Sequence, residues 1–182
     1  MAIPYAKQAW TDGSGGGTPV SAARLAVIEQ GVFDAHYQPA VRAFHSANQS
    51  ITSATATALA FNSDRFDQAS NASDTMHDTV TNNSRLTCRY AGVYLIWANV
   101  EWAASTAGTR TINIRHSTGS TAIGVSSIQS PTSTTLRQQA MTIYSMAVND
   151  YVECVVTQDT GGALNVLATG NYSPEFAMVR VG

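Results

Sequence analysis

Charge is scarce in this sequence. Only 12% of its 182 residues are Asp, Glu, Lys or Arg, and the formal net charge is −2. No run of Lys or Arg occurs, so a nucleic-acid partner finds no electrostatic footprint. Long apolar runs are missing too. Nothing approaches the roughly 18 residues of a membrane span, and the opening MAIPYAKQAWTDG lacks the apolar core of a secretory signal. The expectation is a protein made in the cytoplasm, with no membrane insertion, that does not leave by that route. The two cysteines, Cys88 and Cys154, are too few and too far apart for a disulfide scaffold or paired metal ligands. Each lies among apolar neighbours, which favours two buried thiols over a cross-strand disulfide.

Catalytic signatures are absent as well. No G-x-S-x-G occurs, and the Gly15-Gly16-Gly17 tract follows no strand and lacks the lysine of a phosphate-binding loop. His36, His45, His77 and His116 show no paired ligand spacing; His116, at the end of an apolar strand face, reads as a core or interface histidine. Residues 62–83 hold Asp64, Asp67, Asp74 and Asp78 but not the alternating register or closing Glu of a calcium loop. They read as a solvated loop with Asx-turns and one buried His-Asp contact, with a structural cation as the lesser alternative. A carboxylate pair for glycan cleavage, such as Asp64 with Asp78, would need two groups fixed across a cleft. The reading is that the protein is not an enzyme and has no cofactor.

What is present is a strong strand signal. In residues 92–102, Tyr94, Ile96, Ala98, Val100 and Trp102 form one fully apolar face. The opposite face, Val93, Leu95, Trp97, Asn99 and Glu101, is apolar for half its length and then polar. A half-buried strand alternates cleanly, so something must cover Val93, Leu95 and Trp97, and we expect that cover to be another copy of the chain.

Other segments organise around this one. Residues 1–19 are irregular and glycine-rich, and such a tract holds no fixed conformation by itself. They suit either a docking peptide anchored by Tyr5 and Trp10 or an ordinary frayed terminus. Thr18 and Pro19 fit a helix N-cap and first turn. Leu25, Ile28, Val32 and Ala35 then recur as a short heptad seam until Pro39. Such a helix over about 20 residues, roughly 30 Å, is too short to associate alone, so its seam serves only if the copies are held together elsewhere. The division is a docking peptide at 1–19, a helix at 20–38 that associates with its copies (a trimerising helix under the resemblance given next) and a head at 39–182. Beyond Pro39 short alternating segments at 41–45, 58–61, 85–88, 92–102, 110–117, 122–128, 134–146, 151–158, 163–167 and 176–181 predict a mainly β head of about ten strands. That number needs two packed sheets, the size of a jelly-roll β-sandwich.

Several pieces carry a family resemblance. Phe61-Asn62, Arg65-Phe66-Asp67, Met76-His77-Asp78, TNNSRLTC, AGVYLIWANVEW, Asn149-Asp150-Tyr151-Val152-Glu153 and Phe176-x-Met178 together resemble the globular head of complement component q. That family shares a trimeric jelly roll with tumour necrosis factor. The resemblance implies a homotrimer in which the strand at 92–102 packs on neighbouring subunits. It also makes the strands of Cys88 and Cys154 neighbours, which admits a disulfide. Asn149 stands where the family usually has glycine. The segment WTDGSGGGTPVSAARLAVIEQGV resembles N-terminal regions of bacteriophage tail-fibre and virion proteins, although no collagen-like stalk is present.

The two resemblances together imply a phage virion fibre or spike. Its N-terminus would dock to tail or capsid proteins, and loops at 103–108, 117–120 and 129–133 would contact a host-surface glycan or protein. The alternative is a structural collar, cap or capsid decoration without a receptor. Leu25, Ile28, Val32, Val93, Leu95 and Trp97 are the expected trimer contacts.

Overall fold

The computed structural model describes residues 21–36, 38–69, 74–118, 121–129 and 133–182. Helix α1 (Ala22–His36) opens the described chain. The Ser21 hydroxyl accepts from the Arg24 backbone amide at 3.4 Å, and the Ser21 carbonyl accepts from Leu25 at 3.0 Å, so Ser21 caps it. Thr18 and Pro19, expected in that role, lie outside the described residues, as do Tyr5 and Trp10.

Twelve strands follow: β1 (Ala40–Phe44), β2 (Gln49–Ile51), β3 (Thr57–Ala58), β4 (Ser63–Gln68), β5 (Arg85–Thr87), β6 (Gly92–Trp102), β7 (Thr109–His116), β8 (Ala122–Gln129), β9 (Leu136–Met146), β10 (Tyr151–Gln158), β11 (Leu164–Val166) and β12 (Glu175–Arg180). They form two antiparallel sheets. One runs β9–β6–β12–β1–β4, with β11 and β2 continuing from the far end of β6. The other runs β8–β7–β10, with β3 and β5 both on the open side of β10. The expected β-sandwich is present, but the described residues form twelve strands rather than the ten expected. The added strands are β2, only three residues long, and β4, whose sequence SDRFDQ is charged and lacks apolar alternation. β4 is an edge strand held by its backbone pairing to β1, so burial leaves no mark on its composition.

The core lies between the sheets. Tyr94, Ile96, Ala98, Val100 and Trp102 are all buried, as the alternation of β6 predicts, and they pack with Ile112, Ile114, Val152, Val156, Phe176 and Met178. A large apolar side chain so buried contributes about 1.5–3 kcal/mol. Cys88 and Cys154 are free, buried thiols. Their strands are neighbours, but Cys88 stands beside Asp150 while Cys154 stands beside Ile114. Four residues along β10, about 13 Å, separate the two positions, beyond the roughly 7 Å a disulfide can bridge. At the turn before β10, Asn149 takes φ +71°, so asparagine supplies the left-handed conformation that glycine would otherwise provide.

Candidate functional site: the outer face of the first sheet and the distal cleft

Pairing registers place side chains in rows across the outside of β9–β6–β12. Ile143, Leu95 and Val179 form one row; Met141, Trp97 and Ala177 the next; Ser145 and Val93 lie beyond. Met141 and Ile143 are 67% and 65% exposed, Val93 is exposed, and Leu95 and Trp97 are half-buried. Val181, bonded through its backbone amide to the Val93 carbonyl, extends the same patch and is exposed. A contiguous apolar surface of this kind marks an interaction site. On α1, Leu25 and Val32 are 49% and 65% exposed and Ile28 is half-buried, so this seam also lies largely open within one chain.

The patch ends at Asn99, and the next rows are charged. Glu175 pairs with Asn99 across β12–β6 yet is only 1% exposed. Arg42 forms an ion pair with it, and the Arg65 Nε donates to Glu175 Oε1 at 3.1 Å. The Arg65 guanidinium also lies 3.9 Å over the Phe44 ring. Glu101 accepts from Arg137 Nε at 3.3 Å and from the Tyr172 hydroxyl at 3.2 Å. The Thr169 hydroxyl foremost, then those of Thr135 and Tyr172 and the Arg137 guanidinium, hold the Glu101 carboxyl below its ordinary value against the opposing effect of burial. Half of this sheet face is therefore sealed by the chain's own arginines, and half is bare hydrocarbon.

The end of the head remote from Pro39 carries a cleft of about 470 Å³ lined by Ala104, Ser105, Thr106, Ser133, Thr160 and Leu164, among others. Buried side chains on the strand ends shape it. Arg110, fully buried on the inward face with Ile112 and Ile114, donates to the Ser105 carbonyl at 3.0 Å and the Gly108 carbonyl at 3.4 Å. Gln158 donates to the carbonyls of Ile51 (2.9 Å) and Gly162 (2.7 Å), and its Oε1 accepts from the Thr160 amide at 2.7 Å. Gly108 has φ +74°, and a Cβ there would lie 2.7 Å from the Asp159 carbonyl carbon. Of the expected contact loops, 103–108 and Ser133 meet at this cleft, joined by residues 160–164, which the sequence reading did not include. Residues 117 and 118 are at the opposite end, beside the start of β10, because the Ser117 amide donates to the Tyr151 carbonyl. One signal for the missed groups was legible: Arg110 and Gln158 continue the inward, period-two faces of β7 and β10.

The Asp-rich segment resolves into structural roles. Its first third is β4 rather than loop. His77 is buried, with Nδ1 at 2.6 Å from Asp64 Oδ1 and Nε2 at 3.1 Å from the Asn83 carbonyl. Asp67 Oδ2 accepts from the amides of Met76 (2.8 Å) and His77 (2.9 Å), while burial foremost lifts its carboxyl above the ordinary value. Asp78 Oδ1 accepts from the amides of Val80 and Thr81 as an Asx-turn. Asp64 and Asp78 are thus engaged separately rather than set across a cleft. Among the described residues no group of three or more His, Cys, Asp or Glu is placed to hold a metal, and no helix is long and apolar enough to cross a membrane.

No family model and no curated protein sequence matches the chain. Solved structures do. Murine APRIL at pH 5.0 superposes with a TM-score of 0.60 at 8% identity, covering 79% of this chain and 99% of that one. Eiger TNF from S. frugiperda gives a TM-score of 0.55 at 14% identity, covering 80% and 93%. The fold is the tumour-necrosis-factor-type jelly roll. The globular domain of zebrafish complement 1qA also matches, with a TM-score of 0.47 at 14% identity over 78% and 93% of the two chains. In this jelly roll the bare half-face is the β9–β6–β12 surface described above.

Proposed function

We propose that the protein is a homotrimeric virion fibre or spike, with a jelly-roll head that presents distal loops for attachment to a host surface. The observation that carries the assembly is the bare patch of Val93, Leu95, Trp97, Met141 and Ile143, next to a charged half-face already satisfied within the chain. Burying such a patch between copies removes its apolar area from water at about 25 cal/mol per Å². The open seam of Leu25, Ile28 and Val32 gives three parallel helices a shared contact above the heads. The likeness of WTDGSGGGTPVSAARLAVIEQGV to phage fibre N-termini supports docking on tail or capsid proteins, with Tyr5 and Trp10 as anchors. Attachment falls to the cleft of Ser105, Thr106, Ser133 and Thr160, whose small polar groups suit weak contacts multiplied by three copies per trimer.

Sedimentation equilibrium at micromolar concentration tests the assembly. A mass three times the 19.3 kDa of the chain is expected, and a monomer mass refutes it. Adsorption of the purified protein to host cells tests attachment. The second reading, a structural collar or decoration without a receptor, draws on the small, uncharged side chains of the described residues lining the distal cleft. It predicts a trimer that does not adsorb.

A further inference from the structure

The second sheet has a cleft of its own on its outer side. It runs above β10, between the β3 edge and β7, and has a volume of about 200 Å³. Tyr151 and Glu153 form its floor, Ala56 and Ala58 one lip, and Arg115 and Ser117 the other. This face is on the opposite side of the sandwich from the bare patch of β6, so it stays open whether or not that patch is covered.

Arg115 and Ser117, both lining the cleft, donate to no acceptor through their side chains among the described residues. Glu153 is the direct cross-strand partner of Arg115, the position where opposite charges ordinarily pair. Glu153 instead turns the other way, accepting from Ser84 Oγ at 2.7 Å and facing Arg85 Nε at 3.4 Å. On the remaining side Arg115 pairs with Ala122, at a register shift in β8. Its Nε is buried and makes no hydrogen bond. That N–H is left unsatisfied, and no hydrogen bond or ion pair among the described residues engages the rest of the guanidinium either; since Arg115 lines the cleft, its terminal nitrogens can take an acceptor brought from outside. The second donor is Ser117. Its Oγ accepts from the Tyr151 amide at 3.3 Å, which leaves its own proton unspent.

Charge agrees with this. Arg85 offsets Glu153 and also lies 4.1 Å over the Tyr151 ring, so the cleft keeps one uncompensated positive charge. A guanidinium fork beside a hydroxyl suits a planar carboxylate. The volume lies below the roughly 300–1,000 Å³ of drug-sized sites, room for one sugar unit. We propose that the cleft over β10 binds an acidic monosaccharide unit, its carboxylate held by the Arg115 guanidinium and the Ser117 hydroxyl.

The probe is free glucuronic acid, titrated into the full-length protein and followed by calorimetry and by chemical shifts, with glucose and glucose 6-phosphate as comparison arms. Saturable millimolar binding of glucuronic acid is expected, with none for glucose. Arg115→Gln should weaken it by about tenfold or more, as expected for loss of a charge-assisted hydrogen bond, and Arg115→Lys less. Thermal unfolding of each variant confirms that it is folded. Absence of saturable binding, equal affinity in Arg115→Gln, or preference for glucose 6-phosphate would each overturn the assignment. Neither trimer mass nor cell adsorption enters this measurement, so failure of the attachment reading would leave its result standing.

Discussion

At the residue scale His77 shows how much one side chain can be asked to carry. Both of its ring nitrogens face groups that only accept, the Asp64 carboxylate and the Asn83 carbonyl. Both must therefore donate, which describes an imidazolium. Burial opposes that charge, but the contacts to Asp64 and Asn83 outweigh it, and the pKa is raised above 6.5. The sign for stability follows. The contribution is complete below the unfolded value of 6.5 and is lost as pH rises through the folded value. Urea midpoints of the wild type should accordingly fall as pH increases from 6.5, and His77→Gln should flatten that slope. An equally steep slope in the variant would show that another group is responsible. The sequence supplied the expectation of a buried His-Asp contact in this segment. It did not supply the Asn83 carbonyl, because backbone acceptors leave no trace in residue identity.

At the element scale β6 was the most legible part of the chain, since its inward face is apolar at every second position and its boundaries match the observed strand. β4 was the least legible. Its Arg65 and Asp67 serve tertiary contacts to Glu175 and to the amides of Met76 and His77, and a charged edge strand looks like a loop when read locally. The two faces of β6 make separable predictions. On the outer face, Leu95→Lys or Trp97→Glu should yield a lighter species by sedimentation while far-ultraviolet circular dichroism keeps its β signature, because a charge at a dry contact has no partner. An unchanged mass would place those side chains outside the interface. On the inner side, Gln138 of β9 ties the sheets together. Its Oε1 accepts from the Trp102 indole at 3.0 Å, and its Nε2 donates to the carbonyls of Ser126 (2.8 Å) and Arg110 (3.2 Å). Gln138→Leu strands all of these groups and should cost about 3 kcal/mol in urea unfolding; a loss under about 1 kcal/mol would mean that water replaces the amide.

At the scale of the whole molecule, the sandwich is readable from turn spacing and alternation, but the distant strands that each loop packs beside are not. The sequence expectation groups residues 117–120 with 103–108 as outer loops, and the structure separates residues 117 and 118 from them. Residues 103–108 and residue 117 flank the single strand β7 and so lie at opposite ends of the head, with residue 117 near the turn that precedes β10; which strands each end packs beside depends on pairings far apart in sequence, which local patterns do not carry. The distal cleft also owes its shape to Arg110 and Gln158, residues within strands rather than loops. That arrangement has an evolutionary consequence. Arg110 and Gln158 grip the distal loops chiefly by main-chain carbonyls and amides, which every residue type provides. The side chains at 104, 106 and 163 are thereby free to change identity without disturbing the framework. If the cleft binds as proposed, a lineage carrying this head drifts from one specificity to another through single substitutions at those positions while the scaffold keeps its stability.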